Sequence, residues 1–468
     1  MKKLYLTGTA MMLSLSACVL QSNAPALPET DIPAGYSRQT PAADIAWPQS
    51  DWWQNFNSSE LSQLITQVQT SNLSLANNAR NLQAAQLTLR DAGFDLLPRL
   101  SVTLGTGINY QETRINGTSN SGSNGQPFEL GASVGYTNIL SKPAVYTQAL
   151  ANYTSRAAAI ADASLNTLGT SASTYFQLLL IRDKIVAAQQ NVANAEAISN
   201  IVNARVEAGV AVPLEALQQQ IALERERTNL RSLEQSEFSA RSSLALLTGQ
   251  LAQNFDVSER SLESISMPTI AAGLPSTLLQ RRPDLVQARA DLQSAVAGAD
   301  ISRLDFFPNI SLTANGIASS SSLTELISSP DILINASASV VQTLLDTGQR
   351  SRNLERNRLA VENALANYRQ AALNAFNEID VLLGALQLQQ EQLEVARRNL
   401  EAAEEAFRIA QVRYEEGVQD FQTVLTSQNT LYSTRNAWLD ARLAQLNTAV
   451  SLYIALGGGW QASDIDLQ

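Results

Sequence analysis

The sequence contains no histidine and only one cysteine in 468 residues. Without histidine, a Ser-His-Asp triad, a histidine general base and most zinc sites are excluded. The single cysteine, Cys18, excludes an intrachain disulfide bond and a cysteine cluster. Charged residues make up only 16% of the chain and the formal net charge is −11, so a nucleic-acid partner is not expected. We therefore predict a protein that is not an enzyme and that needs neither a cofactor nor a metal ion.

Long apolar runs are also missing, since no stretch reaches the roughly 18 consecutive apolar residues that indicate a transmembrane helix. The apolar run near the N-terminus follows Lys2 and Lys3 and is typical of a secretory signal peptide, which we place at 1–17. The sequence Leu-Ser-Ala-Cys that ends at Cys18 resembles a bacterial lipobox, whose cysteine becomes the lipidated first residue. Acyl chains on Cys18 would hold the protein to a bilayer, and Val19 favours passage to the outer membrane in lipoproteins of this type. The alternative is an ordinary signal peptide with an incidental cysteine.

The chain contains two copies of one pattern. Residues 98–103 (PRLSVT) reappear as 308–313 (PNISLT), and 205–210 (RVEAGV) reappear as 413–418 (RYEEGV). The repeat is too long for a solenoid and indicates a tandem duplication. The predicted divisions are a lipid-anchored arm at 18–50, a first repeat at 51–249, a linker at 250–273, a second repeat at 274–457 and a C-terminal tail at 458–468.

Each repeat is predicted to contain a β-hairpin, at 99–139 and at 309–342. Apolar and small polar residues alternate along these segments, which indicates strands with one apolar and one polar face. Polar loops at 111–127 and 319–331 are predicted to join the strands. A single hairpin of this kind is more often an amphipathic sheet on a soluble core, but two of them behind a lipobox favour a membrane location.

Helices are predicted on either side of each β-hairpin. The preceding helices are placed at 59–94 and 275–304, and the following long helical hairpins at 145–247 and 347–456. One long helix has an apolar residue at every seventh position, which calls for a partner helix along its length; these residues are Leu386, Leu393, Leu400, Phe407 and Tyr414, with Ala396, Ala403 and Ala410 beside them. For the helices alone, a soluble antiparallel coiled coil would be the favoured interpretation.

The strands decide between these interpretations. Strands of about 9–11 tilted residues can cross a bilayer, and a spanning sheet must close because unpaired edges cannot lie in lipid. Four strands per chain are too few, since the smallest membrane barrels have about eight. Several copies must therefore contribute to one barrel: two copies would give a filled interior, whereas three would leave a lumen.

Three motifs carry a family resemblance. They are the pair Trp52-Trp53 followed by Phe56, the run 274–285 (LPSTLLQRRPDL) followed by Phe307-Pro308, and the glycines Gly209 and Gly417 at the helical turns. With these motifs the chain resembles the outer membrane factors, the TolC-like exit ducts of tripartite efflux pumps, and in particular their lipoprotein branch. One departure is the first strand-to-helix junction, where Leu140-Ser141-Lys142-Pro143 replaces the usual Asp-Leu-Phe-Gly type of turn.

The resemblance implies an α+β membrane protein whose homotrimer forms a twelve-stranded β-barrel on a twelve-helix tunnel. It also implies an outer membrane location with a large periplasmic part. The implied partners are outer membrane lipid, a periplasmic adaptor (membrane fusion) protein and a proton-driven inner membrane pump.

The resemblance further implies a gate at the periplasmic tip, where polar links join the helical hairpins. Tyr414 matches the gate tyrosine by its spacing from Gly417, with Arg413 before it, and Glu215 matches a gate carboxylate. The acidic positions of the family's constriction ring fall on Thr423 and Thr426, so this ring should be weaker or supplied by Glu215. Tyr414 could instead be only the last residue of the apolar stripe, and Glu215 a solvated residue favoured by the helix dipole.

We predict a passive conduit that exports small molecules, such as drugs and toxic compounds, and is opened by an adaptor. One alternative is the outer membrane duct of a protein-secreting (type I) system. Another is a lipid-anchored periplasmic coiled-coil scaffold without a pore. The chain has no histidine- or methionine-rich cluster, so export of copper or silver is not indicated.

Overall fold

A computed structural model of the chain describes residues 48–106, 109–115, 118–124, 128–270 and 275–465. Cys18, the signal peptide at 1–17 and Leu274 of the family motif lie outside the described residues. The described chain forms two compact units. A β unit comprises Gln83–Arg156 and Gln287–Arg369, and a helical unit comprises the described residues up to Leu82, Ala157–Val286 and the chain from Gln370 onward.

Helices account for most of the described chain. Their bounds are α1 Ser59–Ser71, α2 Leu73–Phe94, α3 Lys142–Glu207, α4 Pro213–Leu247, α5 Pro275–Arg281, α6 Pro283–Leu304, α7 Leu323–Ser328, α8 Gln349–Glu415 and α9 Phe421–Ala455. Short 3-10 helices lie at Trp52–Phe56, Ala252–Asn254, Leu262–Ser264 and Ala462–Asp464. The longest helices, α3 and α8, have 66 and 67 residues. Among the described helices, none combines the length and the apolar character needed to cross a membrane.

The described strands of the β unit are β1 Arg99–Thr106, β2 Asn109–Ile115, β3 Thr118–Asn124, β4 Phe128–Tyr136, β5 Asn309–Ser320 and β6 Asp331–Val341. Four of them form an antiparallel sheet in the order β1-β4-β5-β6, so β1 and β6 are its edges. The sheet thus takes two strands from each repeat, as the duplication predicts.

The register of the sheet places apolar residues on one face. Val102 is opposite Ala132, which is opposite Gly316, and Gly316 is opposite Ile334. The other face carries small hydroxyl side chains that bond across the strands, such as Ser101 to Ser133 with 2.7 Å between their Oγ atoms. The apolar side chains of the edge strands are exposed within one chain, so this face needs an apolar environment beyond the protomer.

The predicted polar loop at 111–127 is wrong. The structure has two further strands there, β2 and β3, which pair as an antiparallel ribbon with Glu112 opposite Ser121. The glycines, serines and asparagines of this segment indicated a loop, but backbone pairing between neighbouring segments does not require a buried face. The second polar loop, at 319–331, likewise contains a short helix, α7, which Ser322 caps by accepting a bond from the Glu325 amide.

The helix predicted at 59–94 is divided in two at Asn72. The Asn72 side chain caps α2 by accepting hydrogen bonds from the amides of Ser74 and Leu75, and it donates to the Leu247 carbonyl at 2.8 Å. The helix predicted at 275–304 is also divided, at Arg282, because Pro283 lacks the amide that would continue it. Both breaks therefore come from single residues with a local structural role.

The core of the helical unit is built around the aromatic motif near the N-terminus. Trp52 and Phe56 are fully buried. The Trp52 ring stacks on Tyr453 of α9 with 5.3 Å between centroids, and Phe56 lies 5.2 Å from the ring of Phe176 in α3. The motif that carries part of the family resemblance is therefore a core-packing element.

The described part of the predicted linker, up to residue 270, is fastened to this core. The Glu60 carboxylate accepts hydrogen bonds from the Ser258 and Glu259 amides at 2.6 and 2.9 Å. The buried Arg182 side chain donates to the Val257 and Glu259 carbonyl oxygens, at 2.6 Å each, and forms ion pairs with Glu237 and Asp256. Side chains of α1 and α3 thus hold the backbone of the described linker, residues 250–270, which we call the linker strap.

Candidate gate at the helical hairpin turns

The two helical hairpins end in turns of the same design. Gly209 and Gly417 have φ of +74° and +78°, a region that side chains other than glycine rarely adopt. In each turn the following amide donates back into the helix end, from Val210 to the Arg205 carbonyl and from Val418 to the Arg413 carbonyl. The duplicated sequences therefore make duplicated turns, and these turns place the predicted gate residues.

Tyr414 lies in the last turn of α8 and Glu215 in the first turn of α4. The Tyr414 hydroxyl donates to Oε2 of Glu215 at 3.0 Å. The tyrosine is only 2% exposed and lies 5.9 Å from the ring of Phe421. The structure thus brings these two predicted residues together and joins the first helical hairpin to the second.

The surroundings of Tyr414 keep its hydroxyl protonated. Burial, followed by the hydrogen bond to Glu215 and the charge of that carboxylate, raises the pKa of Tyr414 to about 12, with Arg205 acting in the opposite direction. The tyrosine is therefore a hydrogen-bond donor at neutral pH. A donor of this kind bonded to a carboxylate makes a stronger link than a bond between two neutral groups.

Arg205, in the last turn of α3, completes this cluster. Its guanidinium carbon lies 4.7 Å from the centroid of the Tyr414 ring, and its Nη1 donates to the Tyr414 carbonyl oxygen at 3.1 Å. Sequence reasoning missed Arg205 and named Arg413, which is its counterpart in the second repeat. The signal was available in the duplication, because an arginine precedes both turn glycines at the same spacing.

The other predicted gate residues lie apart from this cluster. The Arg413 side chain is exposed, and its carbonyl accepts bonds from Val418 and Gln419. The Thr423 hydroxyl accepts from Gln419 at 2.9 Å, and the exposed Thr426 donates to the Gln422 carbonyl. In the described part of the chain these groups bond within the turn and α9 rather than with Tyr414 or Glu215.

The apolar stripe of α8, which ends at Tyr414, packs against α3 next to this cluster. Ala403, Phe407 and Ala410 are buried against Ile198 and Val202 of α3. The stripe predicted from sequence therefore does have a partner helix, and Tyr414 is both its last member and a hydrogen-bonding residue. Over the described ranges, no three side chains of His, Cys, Asp or Glu are grouped so that they could hold a metal ion.

Comparison with known proteins gives matches over both repeats. The family model described as outer membrane efflux protein matches residues 64–250 and 274–458. The pyoverdine export outer membrane protein OpmQ of Pseudomonas aeruginosa is 32% identical over 88% of this chain and 88% of its own length. The antibiotic efflux pump outer membrane protein ArpC of Pseudomonas putida is 29% identical over 98% and 95%. Among solved structures, the open state of the Neisseria gonorrhoeae MtrE outer membrane channel superposes with a TM-score of 0.81 at 23% identity, over 93% of this chain and 97% of that one.

Proposed function

The chain belongs to the outer membrane efflux protein family, and we propose that it is the outer membrane exit duct of a tripartite efflux system. The observation that carries this proposal is the family match, which extends over both repeats. As a member of a family of outer membrane efflux channels, the chain is a duct and not an enzyme. Its energy source is therefore a partner, for which we propose an inner membrane pump reached through a periplasmic adaptor.

The proposed cargo is small molecules. Three of the relatives are named for export of pyoverdine, for efflux of antibiotics and for efflux of toluene. These names favour small-molecule efflux over the alternative of type I protein secretion. The pump would determine which small molecules enter the duct, so the cargo is proposed as a class.

We propose that three copies assemble, with the repeats at 51–249 and 274–457 as the structural units of each. The four-stranded sheet supports this, because its edges β1 and β6 can pair with other copies and its apolar face is uncovered in one chain. Three such sheets supply the strands of a barrel with a lumen. Lipidation of Cys18, supported by the lipobox, would add an anchor in the same membrane.

We further propose that the cluster of Tyr414, Glu215 and Arg205 holds the duct closed at its periplasmic end. This proposal is supported by the hydrogen bond of 3.0 Å between Tyr414 and Glu215, which joins two different helical hairpins. The bond lies close to the hairpin turns, whose positive φ angles favour glycine. Opening would separate the hairpins after the adaptor breaks this link. Arg413, Thr423 and Thr426 form no hydrogen bond with Tyr414 or Glu215 in the described chain, and we propose that they contact the adaptor or a neighbouring copy.

The export proposal is tested by measuring small-molecule accumulation in cells. Deleting the gene should raise the cellular content of fluorescent dyes and antibiotics that the intact strain extrudes, and a plasmid carrying the chain should restore extrusion. Deletion of the proposed adaptor serves as the control and should give the same accumulation. Unchanged accumulation in the deletion strain for every compound that depends on the adaptor would contradict the proposal.

A further inference from the structure

A second hydrogen bond joins the two helical hairpins of one chain, away from the hairpin turns. The Tyr432 hydroxyl of α9 donates to the Asn191 carbonyl oxygen of α3 at 2.8 Å, and Nε2 of Gln428 donates to the same hydroxyl at 2.7 Å. All three residues are at least nine-tenths buried. Burial raises the pKa of Tyr432 above its ordinary value of 10.0, so the hydroxyl stays protonated and able to donate. We call the hydrogen bond between Tyr432 and Asn191 the buried bond.

The buried bond lies far from the bond between Tyr414 and Glu215, which we call the gate bond. Tyr432 is 15 residues beyond Gly417, and Asn191 is 18 residues before Gly209. At 1.5 Å per residue this places the buried bond roughly 25 Å from the turns, whereas the gate bond lies within about 10 Å of them. The gate bond is also partly exposed, because Glu215 is only half-buried. One chain therefore has an accessible bond at the tip of its hairpins and an inaccessible one further along them.

The duplication does not repeat the buried bond. The counterpart of Tyr432 in the first repeat is Glu224, and the counterpart of Asn191 in the second repeat is Asn399. Both of these residues are exposed. The buried bond thus belongs to the same asymmetry between the repeats as the gate bond, which points to a shared role.

The contacts between α3 and α9 differ on the two sides of the buried bond. On the side away from the turns, Lys184 of α3 and Asp440 of α9 form an ion pair at 2.6 Å. On the side towards the turns, Ile198 and Val202 of α3 belong to one apolar cluster with Val424 of α9. Apolar contacts have no preferred direction, and helices packed through them can slide past each other. The stretch between the buried bond and the turns is therefore the part in which the hairpins can shift.

Helix α9 contains a row of threonines in the stretch around and below the buried bond. Thr426, Thr430 and Thr434 each donate to the carbonyl oxygen four residues earlier, at 2.8, 2.9 and 2.9 Å. Hydroxyl groups that bond back to the helix in this way compete with its amide hydrogen bonds and favour bending. This stretch of α9 is therefore suited to bend where the hairpins would begin to separate.

We propose that the buried bond is the pivot of opening, so that the tips of the two hairpins separate below it while the helices beyond it stay packed. Separating a buried donor and acceptor that find no new partners is costly, so the buried bond persists when the more accessible gate bond breaks. The second hairpin moves by bending of α9 along its threonine row. This inference rests on the proposed gate and adds the level at which the movement stops.

The experiment is hydrogen–deuterium exchange of backbone amides, measured by mass spectrometry on the full-length protein in detergent. The gate variant combines Tyr414→Phe with Glu215→Gln, which removes the gate bond. Exchange should then become faster in the segments between the turns and the buried bond, which are 192–208, 213–225, 402–416 and 421–431. It should stay unchanged in the segments of α3 and α9 beyond the bond, which are 157–190 and 433–455.

A third substitution tests the buried bond itself. Adding Tyr432→Phe to the gate variant should carry the faster exchange into the segments beyond the bond, with rates about fivefold higher, since the loss of one hydrogen bond shifts a local opening equilibrium by about this factor. Adding Gln428→Met instead removes the donor that orients the Tyr432 hydroxyl and should give a smaller change in the same segments.

The matched control is Tyr453→Phe in the gate variant. Tyr453 is also a buried tyrosine of α9, and its hydroxyl accepts a hydrogen bond from Asn55 at 3.0 Å, so the substitution removes an equivalent group at the other end of the helix. Exchange around Tyr453 itself should rise, but the boundary at the buried bond should stay where it is.

The outcomes separate the pivot from the gate. Faster exchange that stops at the buried bond in the gate variant and passes it after Tyr432→Phe supports the pivot. Faster exchange along the whole of α3 and α9 in the gate variant, or a boundary that Tyr432→Phe leaves in place or that Tyr453→Phe moves equally, would overturn the pivot and leave the gate intact. Unchanged exchange at the tips together with unchanged conductance in the gate variant would overturn the gate and the pivot with it.

Discussion

At the scale of single residues, the two repeats differ most where the hairpins meet. Tyr414 has Val206 as its counterpart in the first repeat, and Glu215 has Thr423 in the second. Only one of the two equivalent positions can therefore make a hydrogen bond between hairpins, and the structure forms it between Tyr414 and Glu215. A gate requires one hairpin to move relative to the other, so this asymmetry is the residue-level basis of the proposed gate.

A second residue with a measurable role is Glu60, which holds the linker strap. Burial tends to raise the pKa of its carboxyl, but hydrogen bonds from Ser258, Glu259 and Tyr175 outweigh this and hold the pKa below its ordinary value of 4.5. A lowered pKa means that the carboxylate stabilises the folded state above about pH 4.5 and that this stabilisation is lost as the pH falls through the folded-state pKa.

Glu60→Gln should therefore lower stability at neutral pH by about 1–3 kcal/mol, the usual effect of losing hydrogen bonds to a charged group. Denaturant unfolding of the full-length protein in detergent, measured between pH 3 and pH 7, checks this. The difference between the natural protein and the variant should shrink towards the acidic end. A difference that stays constant with pH would show that the carboxylate charge plays no part in holding the strap.

At the scale of helices and strands, the sequence was informative wherever a periodic pattern was long. The period of two located the sheet strands and the heptad located the stripe of α8, because burial on one face imposes these spacings. The strands β2 and β3 were missed, since their segment has no alternating apolar face. The break at Asn72 was missed although asparagine is a favoured helix cap, because its additional bond to the Leu247 carbonyl joins segments that are far apart in the sequence.

The break between α1 and α2 gives a test at this scale. Asn72→Ala removes the cap of α2 and leaves the Leu247 carbonyl without its side-chain donor, so we expect a loss of about 1–2 kcal/mol in stability. Asn81→Ala, an exposed position within α2, is the matched control and should change stability by less than about 0.5 kcal/mol. Equal effects from the two substitutions would contradict the role assigned to Asn72.

At the scale of the whole molecule, the duplication explains how one chain can contribute two strand pairs and two helical hairpins to a closed ring. The family resemblance predicted from three motifs is confirmed by the match over both repeats. The cluster at the proposed gate could be predicted only in part: Tyr414 and Glu215 followed from their spacing to the turn glycines. The duplication marks Arg205 as well, but its contact with Tyr414 depends on how the hairpins cross. Such crossings are set by packing between distant segments, which a single sequence does not display.

We propose that this chain forms an outer membrane duct that the Tyr414–Glu215 link keeps closed. Single-channel conductance of the purified protein in planar bilayers tests it most directly. The natural protein should show small conductance steps, and Tyr414→Phe combined with Glu215→Gln should raise them severalfold. The control Glu362→Gln, an exposed residue near the other end of α8, should leave them unchanged. An absence of conductance would contradict the duct, and equal conductance in the natural protein and the double variant would contradict the gate.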